Sequence, residues 1–192
     1  MVRISSGSLK GRKVVTSKKI FVSIDRDGLR PTSSKVREAI FNILQAEIDH
    51  ALFLDLYAGT GAVGLEALSR GAEKVYFVEN NQVRAKAVMD YIHKLDLDDR
   101  ASVYQEEAEA FLKRAMRTSL KFDIIFADPP YMSGEIDKVL PNIGQCNILK
   151  DDGCILVEHS SKVALAENMH NIKLVKNYKY GDTMLTLYRM KE

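Results

Sequence analysis

The sequence has no tryptophan, only two cysteines and four prolines in 192 residues, and a net charge of just +2. Cys146 and Cys154 have no histidine or second cysteine pair at metal-ligand spacing, so neither a zinc site nor a disulfide framework is indicated. They read as small core residues in a reducing compartment. The longest apolar runs are strand-sized and the N-terminus has no apolar h-region, which argues against a membrane span or a signal peptide. The expectation is a cytoplasmic monomer without a metal.

What is present is one core's worth of apolar residues, 46% of the chain, and a strongly uneven charge. Residues 1–40 carry ten Lys/Arg against three acids, a net +7, which leaves the remaining 152 residues at −5. Charge alone would suit a solvated terminus equally well. A basic arm on an acidic body nevertheless matches a polyanionic partner, because each phosphate neutralised releases counterions. The expected division is a basic N-terminal extension over 1–30 and a main domain over 31–192.

From residue 51 onward, short apolar runs alternate with amphipathic stretches, the pattern of parallel strands joined by crossover helices. Strands are expected at Leu52–Leu56, Lys74–Val78, Ala101–Tyr104, Phe122–Ala127 and Cys154–Glu158, and helices near 62–70, 81–95, 106–117, 134–148 and 160–168. This is an α/β, doubly wound sheet. Ile172–Tyr178 and Met184–Arg189, separated by Tyr180-Gly181-Asp182-Thr183, predict a closing antiparallel hairpin. Thr32 or Ser33 is placed to cap a helix running to about Glu47. Gly7, Gly11 and Gly28 punctuate β-prone pieces (Val14, Val15, Ile20, Phe21, Val22), consistent with a small N-terminal hairpin.

Two motifs carry chemistry. In Leu54-Asp55-Leu56-Tyr57-Ala58-Gly59-Thr60-Gly61-Ala62-Val63-Gly64 an apolar strand runs into a glycine turn and then a helix. Gly59 and Gly61 let the backbone turn tightly and approach a ligand. Glu79, one strand further on, is placed for ribose hydroxyls with Asn80 beside it. A nicotinamide dinucleotide would share these features, but Asp55 at the strand end would repel a pyrophosphate and suits a cationic amino-acid ligand such as S-adenosylmethionine. Asp55 could instead cap the loop amides, and Glu79 could be a surface acid. Tyr57 belongs to the same loop, and Glu107 with Ala108, after the third strand, falls where an adenine edge should lie.

The second motif is Asp128-Pro129-Pro130-Tyr131, directly after a buried strand. Two prolines make a stiff loop that presents Asp128 at the carboxyl edge of the sheet, where open α/β sheets bind ligands. A base amine is a poor nucleophile because its lone pair is delocalised into the ring. If Asp128 and the carbonyl of Pro129 or Pro130 accept its two hydrogens, the nitrogen can pyramidalise toward a sulfonium methyl, and Tyr131 offers a face for an extruded base.

With both motifs placed, the chain resembles the RsmD family of bacterial 16S ribosomal RNA guanine-N2 methyltransferases. The likeness runs through Arg3-Ile4-Ser5-Ser6-Gly7, Lys10-Gly11-Arg12, Arg30-Pro31-Thr32, Val36 to Leu44, Gly64 to Ala72, Val78-Glu79, Asp128 to Tyr131, Glu158-His159 and Tyr180-Gly181. The resemblance implies a Rossmann-like, seven-stranded, mostly parallel sheet with a C-terminal antiparallel hairpin. It implies S-adenosyl-L-methionine as cofactor, the small ribosomal subunit or its assembly intermediate as partner, and guanine 966 as target. It gives the catalytic roles to Asp128, Pro130 and Tyr131, and the cofactor roles to Asp55, Gly59, Gly61, Glu79 and Glu107; Pro129 is a further catalytic candidate, and Tyr57, Asn80 and Ala108 are further cofactor candidates. Thr32 borders the cofactor's methionine end, and Lys10, Arg12, Lys13, Lys18, Lys19 and Arg30 are candidates for RNA contact. Glu107 departs from the family's aspartate, and Ser17–Gly28 is a longer lead into Arg30-Pro31-Thr32. A DNA adenine-N6 methyltransferase and a non-catalytic RNA-binding assembly factor are the competing readings.

Overall fold

The structure is a computed structural model and describes residues 2–14, 32–130 and 134–191. Val15, Ile20, Phe21, Val22, Lys18, Lys19, Arg30 and Tyr131, all named above, lie outside the described residues.

The strands are β1 (Val2–Arg3), β2 (Lys13–Val14), β3 (Leu52–Asp55), β4 (Lys74–Val78), β5 (Ala101–Tyr104), β6 (Phe122–Ala127), β7 (Leu149–Ser160), β8 (Asn168–Met169), β9 (Ile172–Tyr180) and β10 (Thr183–Met190). The helices are α1 (Ser34–Ile43), α2 (Ala62–Ser69), α3 (Gln82–Lys94), α4 (Ala108–Arg117) and α5 (Ile136–Gln145). The main sheet runs β5-β4-β3-β6-β7-β10-β9-β8, parallel from β5 to β7 and antiparallel thereafter. Seven of its strands are those expected. The eighth, β8, is a two-residue addition at the edge.

The chain leaves β3 outward through β4 to β5, then returns to pair β6 with β3 on the other side. The strand order therefore switches between β3 and β6, and an open α/β sheet forms its crevice at such a point, beyond the carboxyl ends of the strands. Asp55 ends β3 and Asp128 follows β6, so topology alone puts the two motifs side by side.

Each face of the sheet is buried under helices. Phe41, Phe53, Phe77, Phe126 and Leu185 pack with α1, α2 and α3 on one face, and Leu54, Phe111, Phe122 and Tyr188 pack with α4 and α5 on the other. Burial on both faces explains why β3 and β6 read as nearly continuous apolar runs. Caps set the helix starts: Ser33 Oγ accepts from Val36 N–H at 3.2 Å, and Asn81 Oδ1 accepts from Val83 and Arg84 N–H at 3.0 and 3.2 Å.

The largest departures from expectation are three. The first helix stops at Ile43 rather than near Glu47. β7 begins at Leu149, five residues early, because Leu149 pairs with Phe122 before a register shift in the β6–β7 ladder. The helix expected over 160–168 is absent: residues 161–167 form a turn and an irregular stretch. Tertiary hydrogen bonds claim carbonyls there, Ala166 O from Tyr188 Oη–H at 2.9 Å and Glu167 O from Leu174 N–H at 2.7 Å. Propensity is a weak prior that such contacts override.

The N-terminal hairpin docks against α2. Ile4 and Val14 are buried in the same core as Phe41 and Leu68. Glu66, fully buried on α2, accepts from Ser5 N–H at 2.8 Å, Ser6 N–H at 3.1 Å, Arg37 Nε at 3.3 Å and Arg70 Nε at 3.0 Å.

Candidate active site

A cleft of about 640 Å³, open mouth included, lies at the switch point and is lined by Thr32, Asp55, Tyr57, Gly59, Glu79, Arg84, Phe126, Asp128 and Pro130, among others. Both motifs read from the sequence face it.

The glycine loop is built on left-handed backbone. Gly61, at φ +73°, is the residue before α2, and a side chain there would be strained. Gly64, one turn into α2, has a different reason for being glycine: a Cβ would lie 2.2 Å from Phe77 Cε1. It lets the helix sit down on β4, which holds the loop against the strand ends.

Asp55 is buried, and its Oδ2 accepts the Gly64 N–H at 2.9 Å. It therefore does cap a local amide, while Oδ1 remains for a ligand. Burial, with the nearby Glu79 charge adding to it, outweighs that hydrogen bond and pushes the carboxyl up to about 7. Glu79 is no surface acid. It is buried, and it ties the loop together: Oε2 accepts Gly59 N–H at 2.8 Å, while Oε1 accepts Asn81 N–H at 2.8 Å and Arg84 Nε at 3.0 Å. Arg84 also places its second guanidinium nitrogen 2.9 Å from Glu79 Oε1. A carboxylate has about four lone-pair sites, so Oε2 still has acceptor capacity facing the cleft.

Asp128 stands at the end of β6 with Thr32 Oγ1–H donating to its Oδ2 at 3.4 Å. Burial first, then the charges of Glu158 and Asp55, drive its carboxyl well above the ordinary range. Carboxyls crowded in this way favour whatever brings positive charge between them. Tyr57 lines the cleft and its hydroxyl lies 3.5 Å from Glu135 Oε2; burial and the Glu135 charge raise its pKa.

The remaining expected residues divide. Asn80 and Glu107 come together, the Asn80 amide donating to both Glu107 oxygens at 3.2 and 3.3 Å, and Ala108 opens α4 beside them. This pair is exposed at the rim rather than in the cleft lining. Lys10, Arg12 and Lys13 are exposed on the docked hairpin, outside the cleft.

Sequence reasoning missed Arg84 and gave Glu158 no role. Glu158 carried the same signal that identified Glu79, an acid at the carboxyl end of a buried strand. Arg84 carried a fainter one, an arginine in the first turn of a helix, where the macrodipole disfavours it unless an acid pairs with it. No cluster of three or more metal-ligating side chains occurs among the described residues, and no helix among them is long and apolar enough to cross a membrane.

The donor set fits S-adenosylmethionine. The loop leaves room for close approach, the buried Asp55 and Glu79 with the half-buried Asp128 match a cation, and the one cationic side chain among the described lining residues, Arg84, is paired with Glu79.

Residues 2–189 match the family model described as conserved hypothetical protein 95. A Bacillus subtilis relative, YlbH, is 35% identical over 188 residues, covering 98% of both chains. The ribosomal RNA small subunit methyltransferase D of Haemophilus influenzae is 32% identical, covering 98% of this chain and 93% of that protein. A solved structure from Escherichia coli superposes with a TM-score of 0.82 at 30% identity, covering 99% of this chain and 98% of that one.

Proposed function

The chain belongs to the conserved hypothetical protein 95 family, the RsmD family of the sequence resemblance, and on that footing we propose that it methylates the exocyclic N2 amine of a guanine in 16S ribosomal RNA, guanine 966. The observation that carries the reaction class is the meeting of the two motifs: Asp55 and the glycine loop share one cleft with Asp128 and Pro130. The name of the Haemophilus relative supports small-subunit ribosomal RNA as the substrate.

S-adenosylmethionine, when bound, supplies an electrophilic methyl group on a cationic sulfur. Asp55 would take its ammonium end, Thr32 would border its methionine portion, Glu79 would accept ribose hydroxyls, and Asn80, Glu107 and Ala108 would flank the adenine. Asp128 and the carbonyl of Pro129 or Pro130 hold the two hydrogens of the target amine, which aims the nitrogen lone pair. Asp128 would also accept the proton that the amine sheds on methylation, because burial and the neighbouring acids raise the proton affinity of its ionised form. Tyr131 would stack on the extruded base, and Lys10, Arg12, Lys13, Lys18, Lys19 and Arg30 would grip phosphates.

Cofactor affinity will depend on pH in a direction set by Asp55. In the empty cleft its carboxyl titrates near 7, and an ammonium ligand favours the ionised form, so below that pH a proton must leave before binding. Calorimetry should find S-adenosylmethionine affinity flat above pH 7 and falling by up to about tenfold per unit below it. Asp55→Asn should bind weakly and without that slope. An unchanged dissociation constant between pH 8 and 6 would show that Asp55 does not face the ligand's cation.

The substrate is tested by nucleotide-resolution mapping of methyl groups in ribosomal RNA from a deletion strain and its parent. Loss of one N2-methylguanine from 16S rRNA, restored by the purified protein with labelled cofactor, is the expected result. Label appearing only in DNA would replace this reading with adenine-N6 methylation.

A further inference from the structure

The charge split between arm and body conceals a second reversal. Residues 41–167 hold 13 Lys/Arg against 21 acids, a net −8, while residues 168–191 hold five Lys/Arg against Asp182 alone, a net +4. The terminal hairpin is thus a second basic element on an acidic body. Its outer strand, β9, carries Lys173, Lys176 and Lys179 interleaved with Tyr178 and Tyr180 and has no acid.

Register puts this strand close to the cleft. Ala127 pairs with Val157, so Asp128 is level with Glu158; Glu158 pairs with Leu185, and Leu185 with Tyr178. Asp128 and Tyr178 therefore lie in one row across the sheet, three strand spacings or roughly 14 Å apart. The β9–β10 turn lies at the same carboxyl edge as the cleft, since Thr183 pairs with Ser160.

Tyr178 and Tyr180 are half-buried against the core face that also receives the N-terminal hairpin, and Lys176 Nζ sits 5.0 Å above the Tyr178 ring. Lys176, Val175, Asn177 and Lys179 are exposed. Among the described residues, no strand covers the outer edge of β9 beyond Lys173. Edge lysines discourage pairing with another sheet, and the two tyrosines pack on the core; neither accounts for a whole hairpin whose charge opposes that of the body. A basic strand level with Asp128 is what a polyanionic strand leaving the cleft would meet.

We propose that β9 is a second RNA-contacting surface, on which the exposed Lys176 and Lys179 bind phosphates of the strand flanking the methylated nucleotide. The arm and β9 then hold the RNA from two sides of the cleft. This rests on the reading of the substrate as RNA, and the measurements below separate the two.

Binding of the full chain to a 16S rRNA transcript is measured at several salt concentrations for the parent protein and for the double variant Lys176→Gln/Lys179→Gln. The double variant should bind about tenfold more weakly, with a log–log salt slope shallower by about one to two. S-adenosylmethionine affinity should be unchanged in the double variant. Parental RNA affinity and slope in the double variant would overturn the β9 surface while leaving the methylation reading intact. A parent protein that neither binds nor methylates RNA would overturn both. Loss of binding to a ribosomal protein, with RNA binding unchanged, would reassign β9 to a protein partner.

Discussion

Asp128→Ala should lower kcat for methyl transfer by about 10³-fold, with the S-adenosylmethionine dissociation constant changed no more than about threefold. The asymmetry follows from position. Asp128 lines the same cleft as the residues proposed to hold the cofactor, but the glycine loop is held by Glu79 and Asp55, whose hydrogen bonds to Gly59 and Gly64 do not involve Asp128. Asp128→Asn keeps an acceptor oxygen and loses the charge, so it should retain more activity than alanine. It should also be more stable than the parent, because the carboxyl it replaces is half-buried and crowded by Glu158 and Asp55. A residue that costs stability and serves chemistry is the expected exchange at an active site. Single-turnover rates and calorimetry on the same preparations decide the matter. A variant that loses cofactor binding in step with activity would make Asp128 part of the cofactor site instead.

Glu66→Ala should lower stability by about 3–5 kcal/mol, a fall in Tm on the order of 10 °C at this chain length. Glu66 has no exposed surface, and its removal strands the Arg37 guanidinium, itself 3% exposed, together with the Ser5 and Ser6 amides. Burial works to raise the Glu66 carboxyl, but hydrogen bonds from Ser5 and Arg70, with the Arg70 charge, outweigh it and hold the group below its usual 4.5. A depressed carboxyl stabilises the fold above its unfolded value and ceases to as pH falls through the folded one. The variant's deficit should therefore be full at pH 6 to 8 and shrink in acid below about 4.5. The same substitution should expose the N-terminal hairpin to proteases, since Glu66 and Ser69 together are its polar anchors on α2. A melting temperature within a degree of the parent would show that the hairpin and Arg37 are held by apolar contact alone.

The fold was largely legible because periodicity and punctuation agreed: apolar runs at β3, β4, β5 and β6, capped amphipathic helices between them, and Gly181-Asp182 in the final hairpin. The stretch 160–168 misled because Ala164, Leu165 and Ala166 are good helix formers, while the contacts that hold them in irregular backbone come from Tyr188 and Leu174 on β10 and β9. No local pattern encodes those partners. In the site, Asp55, Gly59, Gly61, Glu79 and Asp128 were legible because each sits at a fixed offset from a strand end. Arg84 and Glu66 were not, because their roles depend on partners brought from elsewhere in the fold or from a strand end five residues away.

By itself the sequence determined the order of elements, the two motifs and the uneven charge, since strand periodicity, proline and glycine stereochemistry and counting are local properties. Only the tertiary structure decided that β3 and β6 are neighbours, and so that Asp55 and Asp128 crowd one another in one cleft. It alone anchored the basic hairpin on Glu66 and brought β9 into the row of Asp128. Those are consequences of which strands pair, and pairing between distant segments is a property of the whole buried core, not of any window of residues.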